Sequence, residues 1–515
     1  MTRPADQQRD QLAAVFAALK GTSVGKDLGL SELRLRGALD DTHPLFAAKA
    51  PIVDHTAMLE QGRRLVGNPK ATDTDLFLTP GLMCPTPPVG LFYRPQRPDQ
   101  RLPLTAAGVA PAQGAMAWAH MVLRRQRPDA AKVTGVFSLY EDAFFERTKN
   151  IPSGALPTWL VENRPFKERW FGAPVGPNRS AIAAVGRSRA QALLAFVDQL
   201  QQAGPRVHTL VAHPRALLEM SLHLSQREGR YVYLRDLAPN LKLFLYAGQG
   251  FAVYRKELGY FFDGLSCAFL EMGLDATGTV ALQEDLTQPG LLTPRLDGGV
   301  FYEFVPLDDV DVGGRFLKDF KRRHVGTVER NKDYLLVVST VSGLVAYNTG
   351  EVVRVVGTDP LRLRLLRPFE TLNTFNQRLT TSSIERLIGD LNDALDPRGV
   401  FIRDYMVGDN VEAKTTRWVL EISRAVAEVD VKLLRGVANR FHQELALENR
   451  AYARAYARDN FPPEMTFVPM GTFSNLPPGV QVGPFDQTPT TRRIGQVIQR
   501  AGQGVLTVRA AAASL

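Results

Sequence analysis

Residues 299–357 read GVFYEFVPLDDVDVGGRFLKDFKRRHVGTVERNKDYLLVVSTVSGLVAYNTGEVVRVVG. Four segments alternate or run apolar in the manner of strands: 301–305, 334–340, 343–347 and 351–356. Successive side chains of a strand point to opposite faces, so a period of two with β-branched and aromatic residues predicts half-buried strands. Gly343 and Asn348-Thr349-Gly350 supply residues suited to tight turns between them. Short connections join antiparallel neighbours, so the stretch predicts a β-meander.

The same stretch carries a motif. An aromatic-Glu-Phe-hydrophobic-Pro strand, Tyr302-Glu303-Phe304-Val305-Pro306, precedes a Gly-Leu-x-x-Tyr-x-x-Gly-acid-Val-Val pattern built on Gly343, Leu344, Tyr347, Gly350, Glu351, Val352 and Val353. In this it resembles the Gretchen Hagen family of acyl-acid amido synthetases, adenylate-forming ligases that join a carboxylic acid to an amine at the expense of ATP. The resemblance runs over nearly the whole chain. It implies an α/β fold with a large N-terminal domain of mixed sheets and a β-meander subdomain, residues 1–373, and a small C-terminal α+β lid domain, residues 374–515.

Composition sets independent bounds. A single core seldom grows past about 250–300 residues, so 515 residues predict two or more domains. Hydrophobic content of 44% and charged content of 22% are ordinary for a globular protein. No apolar run approaches the roughly 20 residues that span a bilayer, and MTRPADQQRD lacks the apolar centre of a signal peptide, so a cytoplasmic protein without a membrane partner is expected. Two cysteines, Cys84 and Cys267, make neither a disulfide framework nor a cysteine zinc site, and the eight histidines are scattered. The basic residues behind the net charge of +9 are spread along the chain except at 318–324, and no aromatic-basic pattern suggests a nucleic-acid groove, which argues against a nucleic-acid partner.

Residues 6–20 place Leu12, Val15, Phe16 and Leu19 on one helical face. Residues 21–30 look like a phosphate loop but lack the Gly-Lys-Ser/Thr ending of a Walker loop; they resemble a structural turn of the family. Residues 50–66 predict an extended piece and then a helix capped near Asp54. Leu76-Phe77-Leu78 reads as a strand running into Thr79-Pro80-Gly81-Leu82-Met83-Cys84-Pro85-Thr86-Pro87. Helices over 113–125 and 181–203 alternate with strands at 132–137, 206–211 and 241–246, an α/β pattern. His208 and His213 invite a metal reading, but Pro214 suits a first helical turn and favours a strand-to-helix junction. Helices at 382–395 and 429–454 and strands at 417–422 and 465–469 predict the compact C-terminal module.

By the resemblance, ATP and magnesium are the family's cofactors, and the positions that handle them are mostly changed here. The family places a Thr-Ser-Gly-Thr-Thr-Gly-x-x-Lys loop at 79–87, where backbone N–H groups, hydroxyls and a cation converge on phosphate. Only Thr79 and Gly81 match; Pro80 removes a donor, Leu82 and Met83 replace hydroxyls, and Pro87 stands at the lysine. The magnesium-holding glutamate of a Tyr-x-Ala-Ser-Glu-Gly motif falls on Thr277, a poor ligand for a hard cation, with Asp275 or Glu271 as substitutes after a loop shift. The ribose-binding aspartate that follows Tyr347 falls on Glu351, which either reaches a ribose or begins an exposed strand. Arg367 and Asn373 keep the interdomain hinge pattern, while its Gly-Glu has become Asn376-Gln377. Ala238-Pro239-Asn240-Leu241 with Gly248, Gly250 and Tyr254 resembles a block bordering the acyl pocket, and packing explains it as well. The family's late lysine, which neutralises the adenylation transition state, has no counterpart after Lys432 unless Arg492 or Arg493 takes its role.

Charge-assisted contacts are worth about 1.5–3 kcal/mol each, so losing several on one ligand predicts millimolar affinity for ATP or worse. Three functions follow. A repurposed enzyme would condense an acyl group, supplied as a thioester or on a carrier protein, with an amine or alcohol without adenylation; Cys84 is its candidate nucleophile, against the reading of a merely buried thiol. A pseudoenzyme would bind an acyl compound or a partner protein. A conventional ATP-dependent acid-amine ligase would compensate the changed motifs.

Overall fold

The computed structural model describes residues 3–34, 37–94, 97–128, 135–139, 146–149, 151–156, 159–160, 173–176, 189–246, 251–311, 315–368, 371–372, 379–410, 415–459, 463–473, 485–486, 492–502 and 504–509. Five helices lead the chain: α1 (Pro4–Leu19), α2 (Ser23–Asp27), α3 (Leu39–Lys49), α4 (His55–Val66) and α5 (Asp73–Leu78). α1 buries Leu12, Val15 and Leu19, as its periodicity predicts, and Asp54 caps α4 by accepting the Ala57 N–H at 2.8 Å. α5 corrects the expected strand at 76–78. Thr72 and Asp75 form a capping box in which each side chain accepts the other's backbone N–H, and the acidic first turn suits the helix dipole. Three apolar residues in a row carry no period of their own, so the cap decides.

After α5 come the hairpin β1 (Pro88–Arg94) and β2 (Arg97–Thr105), helices α6 (Ala106–Gln113) and α7 (Ala115–Gln126), and strands β3 (Gly135–Leu139), β4 (Glu146–Thr148), β5 (Ile151–Ala155) and β6 (Ala173–Gly176). An alternating run follows: α8 (Arg189–Ala203), β7 (Thr209–Ala212), α9 (Pro214–Glu228), β8 (Leu243–Tyr246), α10 (Phe251–Phe261) and β9 (Ala268–Leu274). Of the helix expected over 181–203, residues 181–188 lie outside the described residues, as do 132–134 of the first expected strand. His213 caps α9, its Nδ1 accepting the Arg215 N–H at 3.3 Å, with Pro214 in the first turn. Among the described residues no group of three metal-ligating side chains occurs, and no helix is long and apolar enough to cross a membrane.

The remaining strands of the large sheet are β10 (Val280–Gln283), β11 (Leu292–Pro294), β12 (Val300–Pro306), β13 (Arg323–His324), β14 (Asp333–Thr340), β15 (Tyr347–Thr358) and β16 (Leu361–Pro368). Twelve strands run in the order β13-β12-β14-β15-β16-β11-β10-β9-β8-β7-β3-β6, beside a four-stranded sheet β2-β1-β5-β4. β9 is the pivot, parallel to β8 and antiparallel to β10. Helices α9 and α10 provide the crossovers that parallel neighbours require, while short turns join β9 to β10 and β14 to β15.

The meander agrees with expectation at 301–305, 334–340 and 351–356 and departs from it between the last two. Residues 343–346 form an irregular turn, and Asn348-Thr349-Gly350 lies within β15 instead of breaking it. Leu335 faces Val352 but Val337 faces Asn348, so β15 carries a bulge. The Thr349 hydroxyl fills the interrupted ladder by donating to the Leu336 carbonyl at 2.8 Å.

Glu303, the glutamate of the motif strand, is fully buried where β12, β13 and α3 meet. Arg322 reaches it with Nε at 2.9 Å and Nη2 at 2.6 Å, and His43 Nε2 lies 2.7 Å away. Arg322 Nη1 also donates to the Ala47 and Ala50 carbonyls at the end of α3. Burial pushes the Glu303 carboxyl up, but Arg322 and His43 outweigh it and hold the group below the usual carboxylate range.

The C-terminal unit comprises β17 (Thr371–Leu372), β18 (Leu379–Thr380), α11 (Thr381–Leu395), β19 (Ile402–Asn410), β20 (Thr415–Ile422), α12 (Val431–Glu448), α13 (Arg450–Asp459), β21 (Glu464–Pro469), β22 (Phe485–Asp486), α14 (Arg492–Ala501) and β23 (Leu506–Arg509). Its main sheet runs β22-β19-β20-β21-β23. The single helix expected over 429–454 is two, because Asn449 ends α12 and its side chain accepts the Tyr452 N–H at 3.0 Å to start α13. The expected boundary at 373/374 lies outside the described residues. The cores on either side of it are continuous: Leu217, Phe244 and Leu258 share one buried cluster with Ile384, Ile388, Trp418 and Phe441. Asn392 stitches the units, donating to the Val253 carbonyl at 3.0 Å and the Ile402 carbonyl at 2.9 Å.

Candidate functional site

In open α/β sheets, ligands bind beyond the C-terminal ends of parallel strands, where the connectivity changes direction. The end of β9 is such a place, and several sequence-predicted positions converge on it. Loop 79–87 leaves α5, the turn 275–279 joins β9 to β10, and the turn 341–346 joins β14 to β15. Their contacts are set by glycines. A Cβ added to Gly343 would lie 2.6 Å from the Met83 carbonyl oxygen, one on Gly108 of α6 would lie 1.9 Å from Ser342 Oγ, and one on Gly278 would lie 2.9 Å from Leu104 Cδ2 and 3.3 Å from the Gly108 carbonyl oxygen. Loop, turns and α6 therefore pack with no room for a methyl group.

Within loop 79–87, the Thr79 hydroxyl donates to the Asp75 carbonyl at 2.7 Å and closes α5. Gly81 takes φ of +66°, which suits a residue without Cβ. The Gly81 and Leu82 carbonyls accept the Ser23 and Val24 N–H groups at 2.7 and 3.0 Å, so the loop occupies donors at the start of α2. Leu82, Met83 and Cys84 are 3%, 2% and 2% exposed. Burial pushes the Cys84 thiol up to about 12, so at neutral pH the group is a thiol and not the nucleophilic thiolate.

Thr277 is wholly buried in the turn after β9. Its hydroxyl and N–H both donate to Asp275 Oδ2, at 2.6 and 3.1 Å, while the Gly278 N–H donates to the Asp275 carbonyl at 2.9 Å. Asp275 thus organises its own turn. Glu271 lies on β9, buried, with its N–H donating to Gln283 Oε1 at 3.1 Å.

Tyr347 is buried and its neighbours tie β15 to the segment before α4: the Asn348 N–H donates to the Val53 carbonyl at 2.8 Å and the Val53 N–H to the Ala346 carbonyl at 3.1 Å. Ala346 sits at φ of +43°, in the left-handed region that costs a residue with a Cβ. Glu351 is half-buried on β15 opposite Pro368, its N–H donating to Thr349 Oγ1 at 3.0 Å, and Arg367 faces Val352 on the next rung. Arg492 and Arg493 open α14. Asn373, Asn376, Gln377, Gly248 and Gly250 lie outside the described residues.

Sequence reasoning missed Thr105, Gly108 and Ser342. Ser342 Oγ accepts the Thr105 N–H at 3.1 Å and lies 3.3 Å from Thr105 Oγ1, which in turn accepts the Gly108 N–H at 3.4 Å. The signal was present as a Thr three residues before a Gly at a helix start and as a Ser-Gly pair in a turn.

Comparison with known proteins bears on this arrangement. Residues 293–367, which run from β11 to β16, match the GH3 family central domain. One similar solved structure is the GH3.15 acyl acid amido synthetase, 13% identical, with 98% of this chain and 96% of that chain covered at a TM-score of 0.70. Another is AtGH3.15 acyl acid amido synthetase in complex with 2,4-DB, 14% identical over 99% of this chain and 95% of that one, TM-score 0.73. A third is 2-hydroxyisobutyryl-CoA ligase in the postadenylation state with R3-HIB-AMP, 10% identical over 96% and 91% of the two chains, TM-score 0.57. No curated protein matches the sequence.

Proposed function

We propose, for a chain whose residues 293–367 match the GH3 family central domain and whose fold is that of the adenylate-forming ligases, an acyl-handling role in which ATP does not activate the acid. The observation that carries this reading is the apolar closure of loop 79–87, with Leu82, Met83 and Cys84 buried and Gly343 pressed against the Met83 carbonyl. A triphosphate needs hydroxyls and N–H groups aimed outward. The Thr79 and Thr277 hydroxyls are instead donated to Asp75 and Asp275. ATP with magnesium does not fit the residues present.

The acyl group then has to arrive activated, and a thioester is the chemical class we infer. The amine nitrogen attacks the thioester carbonyl, the C–N bond forms as the C–S bond breaks, and the departing thiolate takes up the proton that the nitrogen releases. An alcohol acceptor would give an ester in the same way. No phosphoanhydride is cleaved and no protein nucleophile is required, so the packed Cys84 has no part in the step. The similarity to an acyl acid amido synthetase and an acyl-CoA ligase supports a small carboxylic acyl group as the substrate class. Binding without chemistry is the second reading, favoured by the inward-turned hydroxyls and thiol at these positions.

Incubating the protein with acyl-CoA thioesters and a panel of amines tests the proposal. Amide formation without pyrophosphate release is the expected result. Pyrophosphate release from ATP that depends on an added carboxylic acid would overturn it, and acyl binding without turnover would move the second reading to first.

A further inference from the structure

The seam between the two units holds a buried charge cluster that the acyl reading does not use. Arg215, in the first turn of α9, donates from Nε to Glu219 Oε1 at 3.0 Å and places Nη2 2.8 Å from Asp404 Oδ2 on β19. Glu421 on β20 is the direct cross-strand partner of Asp404. It is 5% exposed, and its Oε2 accepts the Phe473 N–H at 2.8 Å, so it also anchors the turn that follows β21. Beside Asp404, Arg403 is matched by Glu257 of α10, with Nε 2.9 Å from both carboxylate oxygens. Tyr254 of α10 is buried and feels the charges of Asp404, Arg215, Glu385 of α11 and Glu219. Two carboxylates placed directly opposite each other on neighbouring strands repel when both are charged, and burial removes the water that would screen them.

We propose that the Asp404–Glu421 pair is a pH-operated latch between the units: with one proton on the pair, Arg215 holds β19 against α9, and loss of that proton sets two anions face to face and loosens the seam. Burial, and after it the Asp404 charge, push Glu421 up to about 7. Tyr254 and the two arginines do not titrate in that range. Burial and Asp404 push Tyr254 far up, so it stays neutral, and the Asp404 and Glu219 charges outweigh burial to keep Arg215 charged. Glu257 does the same for Arg403. Because the Glu421 value is raised in the folded state, the docked form binds the extra proton. Its contribution is complete below the ordinary carboxyl value of 4.5 and is lost as pH rises through about 7.

Hydrogen exchange of the full-length chain between pH 5.5 and 8.5, corrected for intrinsic rates, tests the latch independently of any acyl chemistry. The opening equilibrium of amides in β19, β20 and α11 is expected to rise about tenfold per pH unit up to neutrality and then level off. Glu421→Gln keeps an acceptor for the Phe473 N–H and cannot ionise, so its profile is expected to stay flat at the tight, low-pH value. Asp404→Asn removes the opposing charge and is expected to shift the step to lower pH, which keeps the test decisive should Glu421→Gln fail to fold. A wild-type seam whose opening is flat or falls with pH, or a slope unchanged in either variant, would overturn the proposal.

Discussion

The buried surroundings of Glu303 and the packing around loop 79–87 belong to one region of the molecule, and their motif residues differ in kind. Around Glu303 the polar side chains answer one another: Arg322 and His43 meet the carboxylate, and Arg322 also holds the end of α3. Around loop 79–87, positions that the sequence resemblance would assign to a nucleotide carry apolar side chains or hydroxyls spent on the neighbouring backbone and carboxylate. A polar group whose partner lies within the chain is retained by folding itself, since removing the partner strands a buried charge. A group whose partner is an external ligand is free to change once the ligand is no longer needed. That difference between the two sets is what the proposed acyl-handling role without adenylation requires.

The largest effect belongs to Arg322→Ala, which strands the Glu303 carboxylate and is expected to cost about 3–5 kcal/mol in chemical denaturation; a loss below about 1 kcal/mol would mean that Glu303 is not the hub described. Gly108→Ala comes next, at about 1–3 kcal/mol from overpacking against Ser342. Adding Ser342→Ala should recover part of that loss, and strictly additive losses would contradict the close approach. A smaller effect is a pH slope. Burial, and then His43, lower His324, which lies 2.8 Å from Asp40, so the folded state favours the neutral ring. Stability from this group is complete above its ordinary value of 6.5 and falls as pH drops below it. Denaturation midpoints between pH 5 and 7.5 should show that decline in the wild type and less of it in His324→Gln, with an equal decline counting against the assignment. The seam around Glu421 responds in the opposite sense. The smallest effect is none: native Cys84 should resist iodoacetamide, and rapid labelling would show that loop 79–87 is not packed as described.

Much of the sheet was legible because its strands are β-branched and aromatic runs, and its caps are written locally, as at Asp54. The strand expected at 76–78 failed because Leu76-Phe77-Leu78 has no period, and the deciding residues, Thr72 and Asp75, sit ahead of or within the helix's first turn. Asn348-Thr349-Gly350 has turn chemistry, yet Thr349 supplies the bond that lets β15 continue through it. At the candidate site, the exchanged residue types were readable from the chain. Their packing was not, because the Thr105–Ser342 contact joins residues 237 positions apart. The Asp404–Glu421 pairing depends on an irregularity in register between Ile402 and Asp404, and a shift of one residue would put other side chains opposite each other.

Calorimetric titration of the intact protein with ATP and magnesium is the most direct test of the proposed loss of adenylation. No binding heat up to several millimolar is the predicted result. A micromolar dissociation constant would contradict it, placing Asp275, Arg492 or another substitute in contact with the nucleotide and restoring the conventional ligase reading.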